Sequence, residues 1–462
     1  MNSRRVRSTA LTLSVLAAMA AAGAGGYVVV DGLRAPHRAA VVAAVAPPSA
    51  LRSATVPPPT STPTPSTALP VPAAVAQSLA PLVTAPALGG RLLASVLDAQ
   101  TGTVLYGLSA SAGGAPASTA KLLTAAALLA TRPATFRITT TIVDGGPGTV
   151  VLVGAGDPTL TGAAPGNAGA YPDAARLSDL AAAVRKTGMT VSRVLVDDSA
   201  FTGPAISPDW APGDVPSSYA SAITAVMTDG GRAAPGDTIR SSTPDLDAGQ
   251  ELATLLGVPN ASVSRGSAPP GARVLASVQS PPLSELIGQM LQNSDNVIAE
   301  CLARQVAIAK GAPPSFIGAA AAIRAELSSL GVDPGGGITD GSGLAASDRV
   351  SPTALAQVLD LIVGPEQPEL HSIVTALPVA AWSGTLATRF VAGAAAGAGV
   401  VRAKTGTLSD VSSLAGIVHD RSGRLLVFAL IADQVVPGYS PNLAAQAALD
   451  RIAAALAGCG CT

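Results

Sequence analysis

Ser118 and Lys121 stand three positions apart in the stretch PASTAKLL, inside a run that otherwise reads as a buried helix. On a helix, residues three apart share a face, so the hydroxyl and the amine can meet. Of 28 basic residues only Lys121, Lys186, Lys310 and Lys404 are lysine, the rest being arginine. A guanidinium stays protonated, whereas an ammonium gives up its proton when buried or set beside another cation. A lysine beside a serine is therefore a candidate base for a hydroxyl nucleophile.

Two more motifs follow in order, Ser294-Asp295-Asn296 and Lys404-Thr405-Gly406. Each alone is weak, because a second K-T-G occurs at Lys186-Thr187-Gly188 and a second S-x-N at Ser440-Pro441-Asn442. Both duplicates read as helix ends: Lys186 and Gly188 close a helix, and Ser440 and Pro441 open one, with Ser440 as the cap. Lys404 instead reads as the end of a strand. A Ser-His-Asp triad is disfavoured, since the histidines are only His37, His371 and His419 and no G-x-S-x-G occurs. H-E-x-x-H and C-x-x-C are missing too, so the motifs of zinc hydrolysis are not found. Asp157 in GAGDPTL and Asp340 in TDGSGL precede turn-forming residues and read as loop carboxylates.

The elements that must position these groups are a hairpin in GRLLASVLDAQTGTVLYGL, the helix TAKLLTAAALLAT, and alternating short strands and helices from about residue 133 to 279. A helical pair broken at Asn293 to Asn296 comes next, then the strands GVVRAK, SSLAGIVHD and RLLVFALIAD and a closing helix. The late strands resume the style of the first hairpin, so residues 133–279 read as an insertion between two parts of one domain, 87–132 and 280–462. The overall picture is an antiparallel sheet with helices packed against it.

Composition bounds the rest. A net charge of −1, with no dense basic run beyond the first residues, argues against nucleic-acid binding. Arg4, Arg5 and Arg7 precede an apolar stretch from Leu11 to Val30, so residues 1–33 read as either a secretory signal or a membrane anchor, with the remainder exported. Residues 34–86 read as an extended linker: eleven prolines fall between Pro47 and Pro86, where the only charge is Arg52. Cys301, Cys459 and Cys461 leave two readings open, a disulfide from Cys301 to the tail or a buried Cys301 with an incidental tail.

The ordered set Ser118-x-x-Lys121, Ser294-Asp295-Asn296 and Lys404-Thr405-Gly406 resembles that of the penicillin-binding protein and serine β-lactamase superfamily. The long insert is more specifically similar to the class C low-molecular-mass penicillin-binding proteins, the D-alanyl-D-alanine carboxypeptidase/endopeptidase family. LVGAGDPTL, VLVDDSAF, TDGSGLAASDRVSP, LPVAAWSGTLATRF and AKTGTLSDVSSLAG carry the likeness, over about residues 90 to 457. The resemblance implies an α/β (α+β) fold with an antiparallel sheet flanked by helices and an inserted subdomain. It implies a serine DD-peptidase acting outside the cytoplasm on peptidoglycan stem peptides and on cross-links, acylated by β-lactams and needing no cofactor. By it Ser118 is the nucleophile, Lys121 the base, Ser294 a proton relay and Asn296 a ligand for the substrate's peptide carbonyl. Lys404, Thr405 and Thr407 hold the terminal carboxylate in the K-T-G strand with Gly406, and the backbone N–H groups of Ser118 and Thr407 hold the oxyanion. The rivals are a β-lactamase, for which Glu326 lies in the right region but within a plain helix, and a non-catalytic wall-binding domain.

Overall fold

The computed structural model describes residues 70–461. The expected signal or anchor and most of the expected linker lie outside the described residues. The folded part begins earlier than residue 87, because Pro72–Leu79 forms a helix, α1, that buries Val75 and Leu79 completely. Pro72 supplies a preset φ at the first helical position, and the two apolar residues one turn apart give the helix its inner face. Proline density hid that pattern from a compositional reading.

In chain order there follow β1 (Leu92–Asp98), β2 (Val104–Leu108), α2 (Lys121–Thr131), β3 (Thr139–Asp144), β4 (Thr149–Val153), α3 (Leu177–Lys186), β5 (Arg193–Asp197), α4 (Pro244–Leu255), β6 (Ser262–Arg265) and β7 (Val274–Gln279). The second half contributes α5 (Leu283–Asn293), α6 (Asn296–Ala309), α7 (Phe316–Ser329), α8 (Pro352–Val363), α9 (Ser372–Ala376), β8 (Arg402–Leu408), β9 (Val411–His419), β10 (Leu425–Ala432) and α10 (Tyr439–Gly458).

The first sheet runs β2-β1-β10-β9-β8, with every neighbour antiparallel. Its early hairpin thus pairs with a late strand, Leu92 opposite Ala432. Side chains alternate along β10: Phe428 and Leu430 join the core under α1 and α10, while Val427, Ala429 and Ile431 join the core of α2, α5, α6, α7 and α8. Both faces are covered, which is why LLVFALIA reads as an unbroken apolar run instead of an alternating one.

The second sheet, β6-β5-β4-β3-β7, comes entirely from residues 139–279 and is mixed. β4, β5 and β6 are parallel, and β3 is antiparallel to both its neighbours. α3 and α4 bury Leu180 and Leu252 with Val150, Leu152, Val194 and Val196 of the sheet. The loop from 198 to 231 packs Phe201, Trp210, Ile223 and Met227 on Val297, Cys301 and Phe316 of the helical layer.

The helix ends settle the duplicate motifs. α3 stops at Lys186, with Gly188 at φ +73°. α10 begins at Tyr439 after Gly438, so Ser440 lies inside the first turn and is not the cap. Proline is tolerated anywhere in that first turn, where N–H groups lack helical partners, so Pro441 did not fix the start. Cys301 is buried and free, so the expected bond from Cys301 to the tail is not formed.

Candidate active site

Ser118 lies in a 3-10 turn, Ala117–Ala120, that runs straight into α2. It is therefore already helical and caps nothing. Ala117 has φ +46°, an unfavourable conformation for a residue with a Cβ, held by its surroundings. β8 and β9 press against this turn: Ser413 Oγ donates to Pro116 O at 2.6 Å, and a Cβ at Gly406 would fall 2.7 Å from the same oxygen. Glycine is required at 406 by that approach.

Lys121, the first residue of α2, is fully buried. Its Nζ lies 2.9 Å from Ser118 Oγ, 2.6 Å from Asn296 Oδ1 and 2.7 Å from Ser342 O. A neutral amine has two N–H donors and one lone pair. Asn296 Oδ1 and Ser342 O accept from the donors, which leaves the lone pair for the Ser118 proton. The Lys121 pKa is lowered to about 8, first by burial, against the opposing pull of Asp340, Glu300 and Asp295. Burial is the largest cause.

Lys404 sits in the middle of β8, not at its end, and is also fully buried. Its Nζ donates to Ser294 Oγ at 2.9 Å and to Thr405 O at 2.8 Å. Burial, then Lys121 and Arg389, hold its pKa well below the ordinary lysine value.

The α5–α6 junction delivers Ser294 and Asn296. Ser294 takes a left-handed conformation, φ +55°, that ends α5. Asp295 then caps α6, its Oδ1 accepting from the N–H groups of Val297 and Ile298. Asp295 Oδ2 accepts from Tyr171 Oη at 2.8 Å and Arg240 Nη2 at 2.7 Å, both from the 139–279 region. Burial alone would raise this carboxyl, but Arg240, Arg232 and Tyr171 bring it down to about 2. Asn296, held through Oδ1 by Lys121, donates from Nδ2 to Tyr219 O at 3.3 Å. Thr405 Oγ1 donates to Thr385 Oγ1 at 2.8 Å, and Thr407 is exposed, its Oγ1 accepting from Gln446 Nε2 at 3.3 Å.

The Ser342 carbonyl was not foreseen as part of the site, although its loop was read as a turn. Asp340 builds that turn, accepting from the N–H groups of Ser342, Gly343 and Ala345 and from Trp210 Nε1. Glu300, one turn beyond Asn296 on α6, accepts from Gly341 N–H at 3.0 Å, and Thr124 Oγ1 donates to Gly341 O at 2.6 Å. Burial and then Asp340 push the Glu300 carboxyl up to about 7. Asp157 is a turn carboxylate, accepting from Thr159 N–H and hydroxyl. Glu326 pairs with Lys310 at 2.7 Å and makes no contact with the motif residues. The site therefore combines a hydroxyl already hydrogen-bonded to a buried amine with a second buried cation whose neighbours include two threonines, the parts needed for acyl transfer from a substrate carrying a carboxylate.

Residues 75–236 and 234–456 match the model of the D-Ala-D-Ala carboxypeptidase 3 (S13) family. The chain is 43% identical over 436 residues to Carboxypeptidase Rv3627c of Mycobacterium tuberculosis, covering 92% of each. Among solved structures, penicillin binding protein 4 from Haemophilus influenzae is similar with a TM-score of 0.69 at 22% identity, covering 81% of this chain and 98% of that one. The same protein complexed with a β-lactam gives 0.61 at 22% identity over the same shares, 81% and 98%. These two likenesses concern the fold.

Proposed function

The chain belongs to the D-Ala-D-Ala carboxypeptidase 3 (S13) family and is a serine D-Ala-D-Ala carboxypeptidase, and from that premise we propose how its residues divide the reaction. The observation that carries the assignment is the three-way contact of the Lys121 amine with Ser118 Oγ, Asn296 Oδ1 and Ser342 O. Ser118 Oγ attacks the carbonyl carbon of the penultimate D-alanine while its proton passes to the neutral Lys121 Nζ. The oxyanion rests on the N–H groups of Ser118 and Thr407. The former stands at the start of a helical turn, where the first donors have no helical partner. Collapse breaks the C–N bond, and the leaving D-alanine nitrogen takes up, through Ser294, the proton that Lys121 accepted, which leaves Lys121 neutral again. Water then adds to the ester, loses a proton to Lys121, and restores the Ser118 hydroxyl.

Lys404, Thr405 and Thr407 receive the substrate's terminal carboxylate, and Asn296 Nδ2 turns from Tyr219 O to the substrate's peptide carbonyl. An arriving carboxylate raises the proton affinity of Lys404 and so favours the ammonium form that binds an anion. The same geometry accepts β-lactams as acylating inhibitors, the class of ligand bound to the Haemophilus protein. Peptidoglycan stem peptides are the natural substrate, which places the enzyme outside the cytoplasm. We assign residues 133–279 to an inserted subdomain, supported by the second sheet and by the grip of Arg240 and Tyr171 on Asp295. Attachment to the membrane through residues 1–33 belongs to the same proposal, and no helix among the described residues is long and apolar enough to cross a bilayer.

Intact-protein mass spectrometry after mixing with benzylpenicillin tests the assignment. A long-lived single penicilloyl adduct on Ser118, lost in Ser118→Ala together with D-Ala-D-Ala hydrolysis, is the expected result. A Ser118→Ala protein that still cleaves the peptide would overturn it.

A further inference from the structure

The loop that hands Ser342 O to Lys121 is anchored at its base and at its tip. Gly337 and Arg349 each donate a backbone N–H to the other's carbonyl at 2.8 Å, which closes residues 337–349 into a hairpin. Val350 and Gly114 pair in the same way and fasten the hairpin just ahead of Pro116 and Ser118. At the tip, Gly343 has φ +76°, and a Cβ there would collide with Ala117 O, so the loop also leans on the residue before the nucleophile. Whatever shapes this hairpin bears on both the serine and the third partner of its base.

Two buried aspartates shape it. Asp340 Oδ1 accepts from the N–H groups of Ser342 and Gly343, and its Oδ2 from the Ala345 N–H and Trp210 Nε1. With N–H donors on both oxygens, Asp340 is the ionised, acceptor-only acid. Asp348 is fully buried and differently placed. Its Oδ1 accepts from the Thr339 N–H at 2.7 Å and hydroxyl at 3.0 Å, while its Oδ2, also buried, meets no donor among the described residues. The Asp340 carboxyl is within hydrogen-bonding reach of Asp348. Two carboxylates repel unless a proton lies between them, and the free oxygen of Asp348 is the place for it.

We propose that Asp348 is a positioning residue kept as the neutral acid, donating its Oδ2 proton to Asp340, and that this hydrogen bond holds the hairpin in the shape that presents Ser342 O to Lys121. The proposal rests on Lys121 being the base for Ser118. The other charges around the pair do not replace the proton. Lys121 of α2 and Glu300 of α6 both interact with Asp340, and Arg324 of α7 and Arg349 donate to the backbone carbonyls of Ile338, Ala346 and Asp348. Burial and then the charge of Asp340 raise the Asp348 carboxyl far above the ordinary carboxylate range, against the two bonds from Thr339. The proton is therefore held through neutrality and lost on the alkaline side, where two adjoining carboxylates force the hairpin apart.

The test measures benzylpenicillin acylation at pH 8 and pH 10, and thermal unfolding from pH 5 to 9, in the wild type, Asp348→Asn, Asp348→Ala and Asp340→Asn. Asparagine at 348 copies the neutral acid, its Oδ1 accepting from Thr339 and its Nδ2 donating to Asp340 at every pH. Asp348→Asn should therefore keep most of the wild-type rate at pH 8 and exceed the wild type severalfold at pH 10. Lys404 loses its proton equally in both proteins, so that difference belongs to Asp348. Asp348→Ala should lose about tenfold or more at pH 8, the loss usual when buried partners are left unmet. Asp340→Asn should be the more harmful amide exchange, because its NH2 group would face N–H donors. Unfolding gives a readout independent of the reaction. A carboxyl protonated when folded and ionised when unfolded costs stability progressively as pH rises above about 4, the ordinary aspartate value. Asp348→Asn lacks that slope, so its Tm should gain on the wild type steadily from pH 5 to 9. The proposal is overturned if Asp348→Asn is as impaired as Asp348→Ala, if Asp340→Asn is the milder amide exchange, or if the Tm difference does not change with pH. A wild type that acquires no penicilloyl adduct overturns the assignment of Ser118 and Lys121 and the positioning role with it, while the Tm comparison still decides where the proton lies.

Discussion

Lys121 and Lys404 are both fully buried, both hydrogen-bonded to a serine hydroxyl, and both lowered in pKa first by burial, yet their electrostatic surroundings are opposite. Around Lys121 stand three carboxylates, Asp340, Glu300 and Asp295, that partly offset burial and leave its pKa at about 8. Around Lys404 stand two cations, Lys121 and Arg389, that add to burial. One amine is thereby poised to exchange a proton near neutrality. In the proposed reaction the other is the cation that an anionic substrate pairs with. The residue type is the same, and on the proposed division of the reaction the neighbours decide whether it is a base or a receptor.

Arginine breaks this comparison most sharply. Lys121→Arg keeps a cation but removes a group able to accept the serine proton, since a guanidinium does not deprotonate in this range. Acylation by benzylpenicillin should fall by about 10²- to 10⁴-fold, the usual contribution of a positioned base. Lys404→Arg keeps what a receptor needs, so its acylation rate should fall much less. Stopped-flow or quenched-flow acylation rates, with circular dichroism to verify folding, decide it. Equal losses in the two variants would erase the distinction.

The pH dependence follows from the same contrast. In the proposed reaction the active form of Lys121 is the neutral amine, about a tenth of the population at pH 7 for a pKa of about 8. Acylation should therefore rise about tenfold per pH unit below that pKa and level off above it, because only the deprotonated fraction can take the serine proton. A benzylpenicillin acylation profile that is flat between pH 6 and 9 would mean that Lys121 is not the titrating base.

These two lysines also show how far the sequence could be read. Their spacing to Ser118 and Thr405 and the order of the motifs depend on side-chain types, so they are visible in a single chain, as is the buried run that forms β10. The field around Lys121 is not visible. Its third partner is the Ser342 carbonyl, a backbone atom without a residue-type signature, brought to it across 221 positions. The groups that hold Asp295, Arg240 and Tyr171, stand 55 and 124 positions upstream among ordinary loop residues. Ser440 misleads because a serine and a proline near a helix start satisfy a capping pattern in several registers, and tertiary packing selects one. Helix α1 was hidden within a proline-rich stretch because its signal is only two apolar residues, Val75 and Leu79.

The smallest effect isolates one carboxylate of the Lys121 field. Glu300→Gln keeps an oxygen to accept the Gly341 N–H, so the loop that presents Ser342 O retains its support, while the charge is lost. A carboxylate raises the proton affinity of a neighbouring amine, so its removal should lower the Lys121 pKa and increase the neutral fraction. The Glu300 carboxyl is itself pushed up to about 7, so below that pH the wild-type group is already largely protonated and resembles the variant. Acylation should therefore be nearly unchanged at pH 6 and modestly faster at pH 7.5 to 8, where wild-type Glu300 is ionised and Lys121 still titrates. Above about pH 9 the two proteins should converge again, because Lys121 is neutral in both. A uniform loss of rate at every pH would instead mean that Glu300 acts only by holding the 340–345 loop, and that Asp340 and Asp295 supply the field.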